Sequence, residues 1–173
     1  MTTTTTTTLA QEHIPELKSI CLNSSPANSS TSNLLSMIRE IPITYVLEKL
    51  HELGPQYLND KSSAHAELHI DGCPKPYYVH KEYLVLQSNF FNVIFNSGDI
   101  SNGDVITISL PACELFDPIL EYFYDGDADK FYDSLNEGNC KRMWENVEYL
   151  GMGAEAKAVC LAYFQNEING KHE

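Results

Sequence analysis

The chain has 173 residues, of which 43% are hydrophobic, and a formal net charge of -13 at pH 7. A chain of this length can bury one core that is stable unaided, so it suits one domain plus a tail. The negative charge repels phosphate groups and acidic lipid surfaces, which argues against direct nucleic-acid binding. No apolar run approaches the ~18 residues that a membrane span needs, and no export signal opens the chain, so we expect no membrane partner.

Five cysteines are spread along the chain without a CxxC pair: Cys21, Cys73, Cys113, Cys140 and Cys160. An odd number of scattered cysteines is typical of reduced, buried thiols rather than of a disulfide framework or a zinc site. Such usage favours the cytoplasm or the nucleus, and nothing in the composition requires a metal or another cofactor.

Residues 1–32 are too polar to bury a core of their own. Seven threonines follow the first methionine, and a serine-rich stretch comes later in the same segment. This composition predicts a mostly disordered tail that acts as a spacer.

Residues 33–58 form the next segment, in which apolar residues recur at helical spacing. Thr44 can cap the second half of this segment, and Gly54 with Pro55 is expected to end it. The pattern predicts an amphipathic helix outside the main core, whose apolar stripe needs a cover. Either the chain's own domain or a second copy of the chain can supply that cover.

A pair of strands and a helical hairpin follow this segment. In AELHI, residues 66–70, apolar and polar residues alternate as in a half-buried strand, and Asp71-Gly72 supplies a turn toward a second strand in KPYYV. After His80 the apolar residues recur at the longer period of a helix. Ser88 can cap a second helix, which residues 96–98 end.

The second half of the chain begins with a third strand in VITISL, residues 105–110. The apolar stripe over residues 115–123 then predicts a helix that Asp125-Gly126 closes. Pro118 lies inside this stripe and would break a helix in mid-course. Therefore either Asp117 caps the helix and Pro118 takes its first position, or the helix is kinked.

Two more helices complete the pattern, the first capped by Asn139 and the second beginning at about residue 154. A helix, two strands, a helix pair, a strand and three helices in this order predict an α+β fold, with a sheet of three or more strands covered by helices. We place this domain at residues 59–169 and expect residues 170–173 to fray.

With its elements in this order the chain resembles a BTB/POZ domain. Five pieces carry the resemblance and cover about residues 64–164: AELHI, YYVHKEYLVLQSNFF, the strand that ends ISLP, FDPILEYFYDG and WENVEYLGM. Domains of this family are protein-interaction modules, commonly homodimers, and many recruit a substrate to a cullin-type ubiquitin ligase. The resemblance implies a non-enzymatic adaptor or scaffold whose partners are a second copy of itself and other proteins. The alternative that it offers is a substrate adaptor of a cullin-type ubiquitin ligase, whose partner is a cullin scaffold.

The same resemblance gives two groups of residues a role. In the dimeric branch of the family, the helix before the first strand packs across the two-fold axis. In this chain the resemblance gives that role to an apolar stripe: Ile43, Val46, Leu47, Leu50 and Leu53. The family also tends to place an acid at the start of the first strand and a base after the second, and Glu67 and Lys81 fill these positions. We interpret them as a structural ion pair.

A partner loop before the third strand is also implied by the resemblance, at Gly98, Asp99, Ile100 and Asn102. Cullin-binding members often have an apolar residue followed two positions later by Glu, whereas Ile100 is followed there by Asn102. A favourable charge contact is therefore absent. Because the chain ends soon after the last BTB-like helix, we expect an adaptor of this kind to catch its substrate with the same domain or with the tail.

Chemical alternatives have less support in the sequence. It contains no nucleophile elbow, no glycine-rich phosphate loop and no HExxH, so we predict that the protein is not an enzyme. The segment 125–137 offers a calcium-binding alternative, because three aspartates have the spacing with which a calcium loop begins: Asp125, Asp127 and Asp129. Lys130 stands where the loop needs Gly, and Asn136 stands where it needs a bidentate Glu. The pattern therefore favours a solvated acidic loop.

Overall fold

A computed structural model describes residues 41–168, with side-chain burial up to residue 166. The predicted tail at residues 1–32, the start of the helical extension at residues 33–40 and the predicted frayed end at residues 170–173 lie outside the described residues. In the part of the chain that is described, no helix is both long and apolar enough to cross a bilayer.

Residues 41–168 form seven α-helices and three β-strands. The helices are α1 (Ile43–Tyr57), α2 (Lys81–Val85), α3 (Asn89–Asn96), α4 (Phe116–Asp125), α5 (Ala128–Asp133), α6 (Cys140–Tyr149) and α7 (Ala154–Tyr163). The strands are β1 (Ala66–Ile70), β2 (Tyr77–Val79) and β3 (Asp104–Ile108). A 3₁₀ turn, Cys113–Leu115, leads into α4. A small sheet with many helices confirms the predicted α+β class.

The sheet has the strand order β2-β1-β3, so β1 is central and the other two strands are edges. β1 pairs antiparallel with β2, as the predicted hairpin requires, and parallel with β3, in a register that sets Ile70 opposite Ile108. Alternation along β1 decides which side chains are buried: Ala66, Leu68 and Ile70. Glu67 and His69 fall on the half-exposed face of the same strand.

The hairpin of α2 and α3 lies in the hydrophobic core, where five of its side chains are buried: Tyr83, Leu84, Phe91, Ile94 and Phe95. Ser88 caps α3 as predicted, because its Oγ accepts a hydrogen bond from the Phe91 amide at 3.2 Å. The same hydroxyl donates to the Leu150 carbonyl at 2.6 Å. The cap therefore also joins the hairpin to the end of α6.

Helix α1 does not have the predicted ends. Its N-cap residue is Pro42 rather than Thr44, without a side-chain capping bond, and the helix runs through Gly54 and Pro55 to Tyr57. Gly54 is buried against α4, where a Cβ at this position would come within 1.8 Å of the Tyr124 carbonyl oxygen. Packing of the two backbones therefore outweighs the local stop signal.

Helix α4 also begins differently from either prediction. The helix starts at Phe116, which puts Pro118 in its third position, and the preceding residue Leu115 occupies the N-cap. The amide that proline lacks has no partner within the first turn of a helix, so the ring fits there without a kink. Gly126 ends α4 with φ +65°, as the predicted Asp125-Gly126 stop requires.

Candidate protein-interaction surfaces

Exposed apolar side chains concentrate in two regions of the described surface. Of its ten exposed large hydrophobic residues, six lie in or just before α1: Ile41, Ile43, Tyr45, Val46, Leu53 and Tyr57. Three others line a groove between α3 and β3: Val93, Val105 and Tyr149. Isolated exposed apolar residues need no explanation, but groups of this kind mark binding surfaces.

Helix α1 is held on the domain by its inner side. Leu50 packs against the core, and the His51 ring lies within 3.2 Å of the Gln87 side-chain oxygen. Gln87 in turn donates hydrogen bonds to the Phe123 carbonyl at 2.6 Å and to the Tyr83 carbonyl at 2.9 Å. Gly126 leaves room for the ring, because a Cβ there would come within 2.2 Å of His51 Nδ1. The chain's own domain thus covers one side of α1.

Other apolar side chains of α1 stay exposed, and we call this group the α1 outer face. It consists of Ile43, Tyr45, Val46 and Leu53, with exposures from 37% at Val46 to 55% at Ile43. Tyr57 is not part of it, because its ring stands edge-on to the His80 ring with centroids 5.5 Å apart. The five residues predicted for a dimer interface are therefore divided. Ile43, Val46 and Leu53 lie on this face, whereas Leu47 and Leu50 are half-buried.

The α3/β3 groove is the second apolar surface and has a volume of about 270 Å³. Its floor includes half-buried Phe90 and Ile106, and Asp99 and Asp104 add two carboxylates to its lining. One wall belongs to β3, an edge strand, so part of the groove lies beside backbone groups that no described strand pairs.

The predicted partner loop reaches this groove only in part. Ile100 packs against the core and lines the groove together with Asp99. Gly98 turns the chain at φ +86° with no neighbour within 4 Å of its Cβ position, and Asn102 is exposed outside the groove lining. Ile100, the apolar residue of the expected motif, therefore lies at the groove, whereas Asn102, the second residue of the motif, does not.

Glu67 and Lys81 do not form the predicted ion pair. Glu67 Oε1 lies 2.8 Å from His69 Nε2 on the same strand. Lys81 Nζ donates instead to the Phe95 carbonyl at 3.1 Å, at the end of α3. The lysine therefore stabilises a helix C-terminus, where a positive charge is favourable, rather than pairing with the carboxylate.

A chain of polar contacts around His80 was not predicted. Tyr124 Oη accepts the His80 amide at 2.9 Å and lies 2.8 Å from His80 Nδ1, and His80 Nε2 lies 2.9 Å from Ser63 Oγ. The Ser63 hydroxyl donates to the Asp60 carboxylate. Burial raises the pKa of Tyr124 and lowers the pKa of His80. The Ser63 and Ser62 hydroxyls lower the pKa of Asp60 to about 2.

The three aspartates of the calcium alternative have other roles. Asp127 caps α5 by accepting the Lys130 amide at 2.9 Å, Asp125 Oδ2 accepts from Lys130 Nζ at 3.0 Å, and Asp129 is exposed in the first turn of α5. Much of the segment is therefore helix rather than a coordinating loop. Residues 41–168 contain no cluster of three metal-ligating side chains.

Comparisons with known proteins agree with this architecture. A family model described as the BTB/POZ domain matches residues 55–167, which is more than half of the chain and begins within α1. The solved BTB domain of zebrafish PATZ1 is similar in fold, with a TM-score of 0.53 at 13% sequence identity, and the match covers 83% of this chain and 100% of that chain. The chain therefore belongs to the BTB/POZ domain family, whose members mediate protein–protein interactions.

Proposed function

We propose that this interaction module homodimerises through the α1 outer face and acts as an adaptor or scaffold. The observation that carries the proposal is the group of four exposed apolar side chains on a helix that is already docked on its domain. Covering such a group removes apolar surface from water, which stabilises the dimer by about 1 kcal/mol for each well-covered side chain. A second copy presents the same α1 outer face, so in a dimer with two-fold symmetry each copy covers the face of the other.

Solution mass tests this proposal most directly. We expect light scattering at micromolar concentration to give a dimer for the intact chain and a folded monomer for Val46→Asp with Leu53→Asp. Both positions are exposed in the single chain, so the substitutions leave its core unchanged. Leu50 is unsuitable because it packs on the core.

The matched control is Leu161→Asp, because Leu161 is 48% exposed on α7 and belongs to neither apolar surface. This variant should stay dimeric. A monomer for the intact chain at every concentration, or a dimer that survives the double substitution, would contradict the proposal.

The α3/β3 groove supports a second function, the recruitment of a cullin scaffold for a ubiquitin ligase. Ile100 lines the groove beside exposed Val93, and Asp99 and Asp104 give it negative charge. An apolar helix flanked by basic residues suits such a groove. The surface is separate from the α1 outer face, so a dimer could still bind the scaffold.

Calorimetry with the N-terminal helical part of a cullin tests this second function. We expect binding by the intact chain and a loss of at least about tenfold in affinity for Ile100→Asp or Val93→Asp. Val46→Asp with Leu53→Asp is the control and should bind with unchanged affinity per chain. If the intact chain gives no heat of binding with any cullin tried, the groove does not recruit a cullin scaffold.

Other parts of the proposal follow from composition and family. BTB domains are generally non-enzymatic, which supports an interaction role without chemistry. The scattered cysteines support a cytoplasmic or nuclear location. Fractionation of cells that express the tagged chain checks that location.

A further inference from the structure

Two cysteines far apart in sequence meet where the β1–β2 connection packs against the start of α4. The Cys73 and Cys113 side chains are close enough to interact, and this interaction adds to the effect of burial in raising the pKa of Cys73. The Cys113 sulfur also lies against the neighbouring backbone, since a Cβ on Gly72 would come within 3.3 Å of it. Both side chains are only partly buried, so a small reagent can reach them.

The two segments that carry these thiols are held together by further contacts. Lys75 Nζ lies 2.7 Å from an Asp117 carboxylate oxygen, and the ring centroids of Tyr77 and Phe116 are 5.0 Å apart in an edge-to-face arrangement. Burial and then the nearby Asp117 carboxylate raise the pKa of the Tyr77 hydroxyl, so this carboxylate also interacts with Tyr77. The approach of the thiols is thus part of a packed contact between the strand connection and α4.

A second pair, Cys140 and Cys160, provides an internal comparison. These two thiols interact across the contact of α6 with α7, but both side chains are buried, with exposures of 2% and 0%. Reagents in solution reach buried thiols poorly. Of the four described cysteines, only Cys73 and Cys113 combine proximity with access.

We propose that Cys73 and Cys113 form a reversible disulfide that clamps the β1–β2 connection to the start of α4 under oxidising conditions. The oxidant is a low-molecular-weight disulfide such as oxidised glutathione. One protein thiolate attacks a sulfur of glutathione disulfide and releases one glutathione thiolate, which leaves a mixed disulfide. The second protein thiolate then attacks the protein-bound sulfur and releases the other glutathione. The protein loses two electrons and two protons, and the reagent gains the electrons.

The environment of Cys73 makes this reaction slow at neutral pH. Burial, followed by the interaction with the Cys113 side chain, raises the pKa of Cys73 to about 11, so little of it is thiolate at pH 7. We expect the step in which the Cys73 thiolate attacks to quicken roughly tenfold for each pH unit between pH 7 and pH 9. The clamp therefore responds to sustained rather than brief oxidation.

The test uses the full-length chain with Cys21→Ser, which removes the one cysteine outside the described residues. After incubation with oxidised glutathione at pH 8, peptide mass spectrometry without reduction should find Cys73 linked to Cys113, with no glutathione adduct on either. The thermal midpoint should rise by about 10 °C, because the disulfide closes a loop of about 40 residues. Cys113→Ser and Cys73→Ser should each give a single glutathione adduct and no rise.

Three results would overturn the proposal. The first is separate glutathione adducts on both cysteines of the folded chain. The second is two free thiols under conditions that link the same cysteines in the chain unfolded by guanidinium. The third is a disulfide that lowers the thermal midpoint, which would show that the folded positions of the two thiols do not suit the bond.

Discussion

Single side chains decide much of how this domain is held together, and His80 is the best example. Its ring joins the buried Tyr124 hydroxyl to Ser63 and, through Ser63, to Asp60 at the surface. If Tyr124 donates to Nδ1, the ring proton is on Nε2 and donates to Ser63, so each group has a partner of the right kind. This arrangement requires a neutral imidazole.

Stability should therefore depend on the protonation of His80. Burial lowers its pKa below the usual 6.5, so the unfolded chain takes up the proton first as the pH falls. We expect His80 to make its full contribution to the free energy of unfolding above pH 6.5. This contribution should decline as the pH falls through the folded-state pKa, with a slope of at most about 1.4 kcal/mol per pH unit. Urea unfolding between pH 7.5 and pH 5 measures this slope.

His80→Gln is the comparison for that measurement. The variant should be less stable at pH 7.5, because it loses the ring contacts with Tyr124 and Ser63, but its stability should change less on acidification. An equal slope in both proteins would assign the pH dependence to other groups.

Single residues that begin or end a helix can be predicted from the sequence when the groups that interact are close in the chain. Ser88 caps α3 through Phe91, three residues away, and Gly126 ends α4 by its own backbone conformation. Asn146 could not be found in this way, although it is fully buried and exchanges two hydrogen bonds with the backbone of Ala112. Its partner is 34 residues away, and only the fold brings the two together.

At the scale of whole elements, the contact of α1 with α4 shows how tertiary packing overrides local signals. Gly54 followed by Pro55 is a typical helix ending, and yet α1 continues for two residues beyond it. Periodicity correctly predicted that a helix exists here, because the apolar spacing repeats over several turns. The ends depend on which backbone passes close by, and the spacing of apolar residues contains no information about that.

Gly54→Ala should weaken this contact severely. The added Cβ would overlap the Tyr124 carbonyl, so α1 has to move away from α4 or distort. We expect a loss of about 2 to 3 kcal/mol in the free energy of unfolding, measured by urea denaturation.

The control for this substitution is Gly153→Ala, since a Cβ at Gly153 meets nothing within 4 Å. Its effect should stay within about 1 kcal/mol. Equal effects at the two glycines would mean that the close approach at Gly54 does not stabilise the domain.

For the molecule as a whole, element order predicted the α+β class, and the resemblance of five short pieces, in their order, to a BTB/POZ domain indicated the family. The same order says nothing about which faces remain open. Both the α1 outer face and the α3/β3 groove became visible only when burial was known. Leu47 and Leu50, which periodicity assigns to the same stripe as Val46, are half-buried, and Leu50 packs on the core.

Net charge is the other property of the whole molecule with a measurable effect. At -13 the chain repels itself at neutral pH, and added salt screens that repulsion. We expect the thermal midpoint to rise by about 3 °C between low and 0.3 M sodium chloride, because screened repulsion outweighs the small loss from exposed ion pairs.

Repeating the salt series near the isoelectric point, at about pH 4.7, provides the control. The net charge is then close to zero, so the effect of salt on the midpoint should largely disappear. A midpoint that falls with salt at pH 7.5 would show that the exposed ion pairs matter more than the overall charge.

The docking of α1 at Gly54 has a kinetic consequence for any partner of its outer face. The helix is already formed and positioned by the His51–Gln87 contact before a partner arrives. Its ordering entropy is part of the folding free energy, so association does not have to overcome it again. Such a preorganised surface should bind as a rigid body, at a rate set by diffusion and charge rather than by a conformational step.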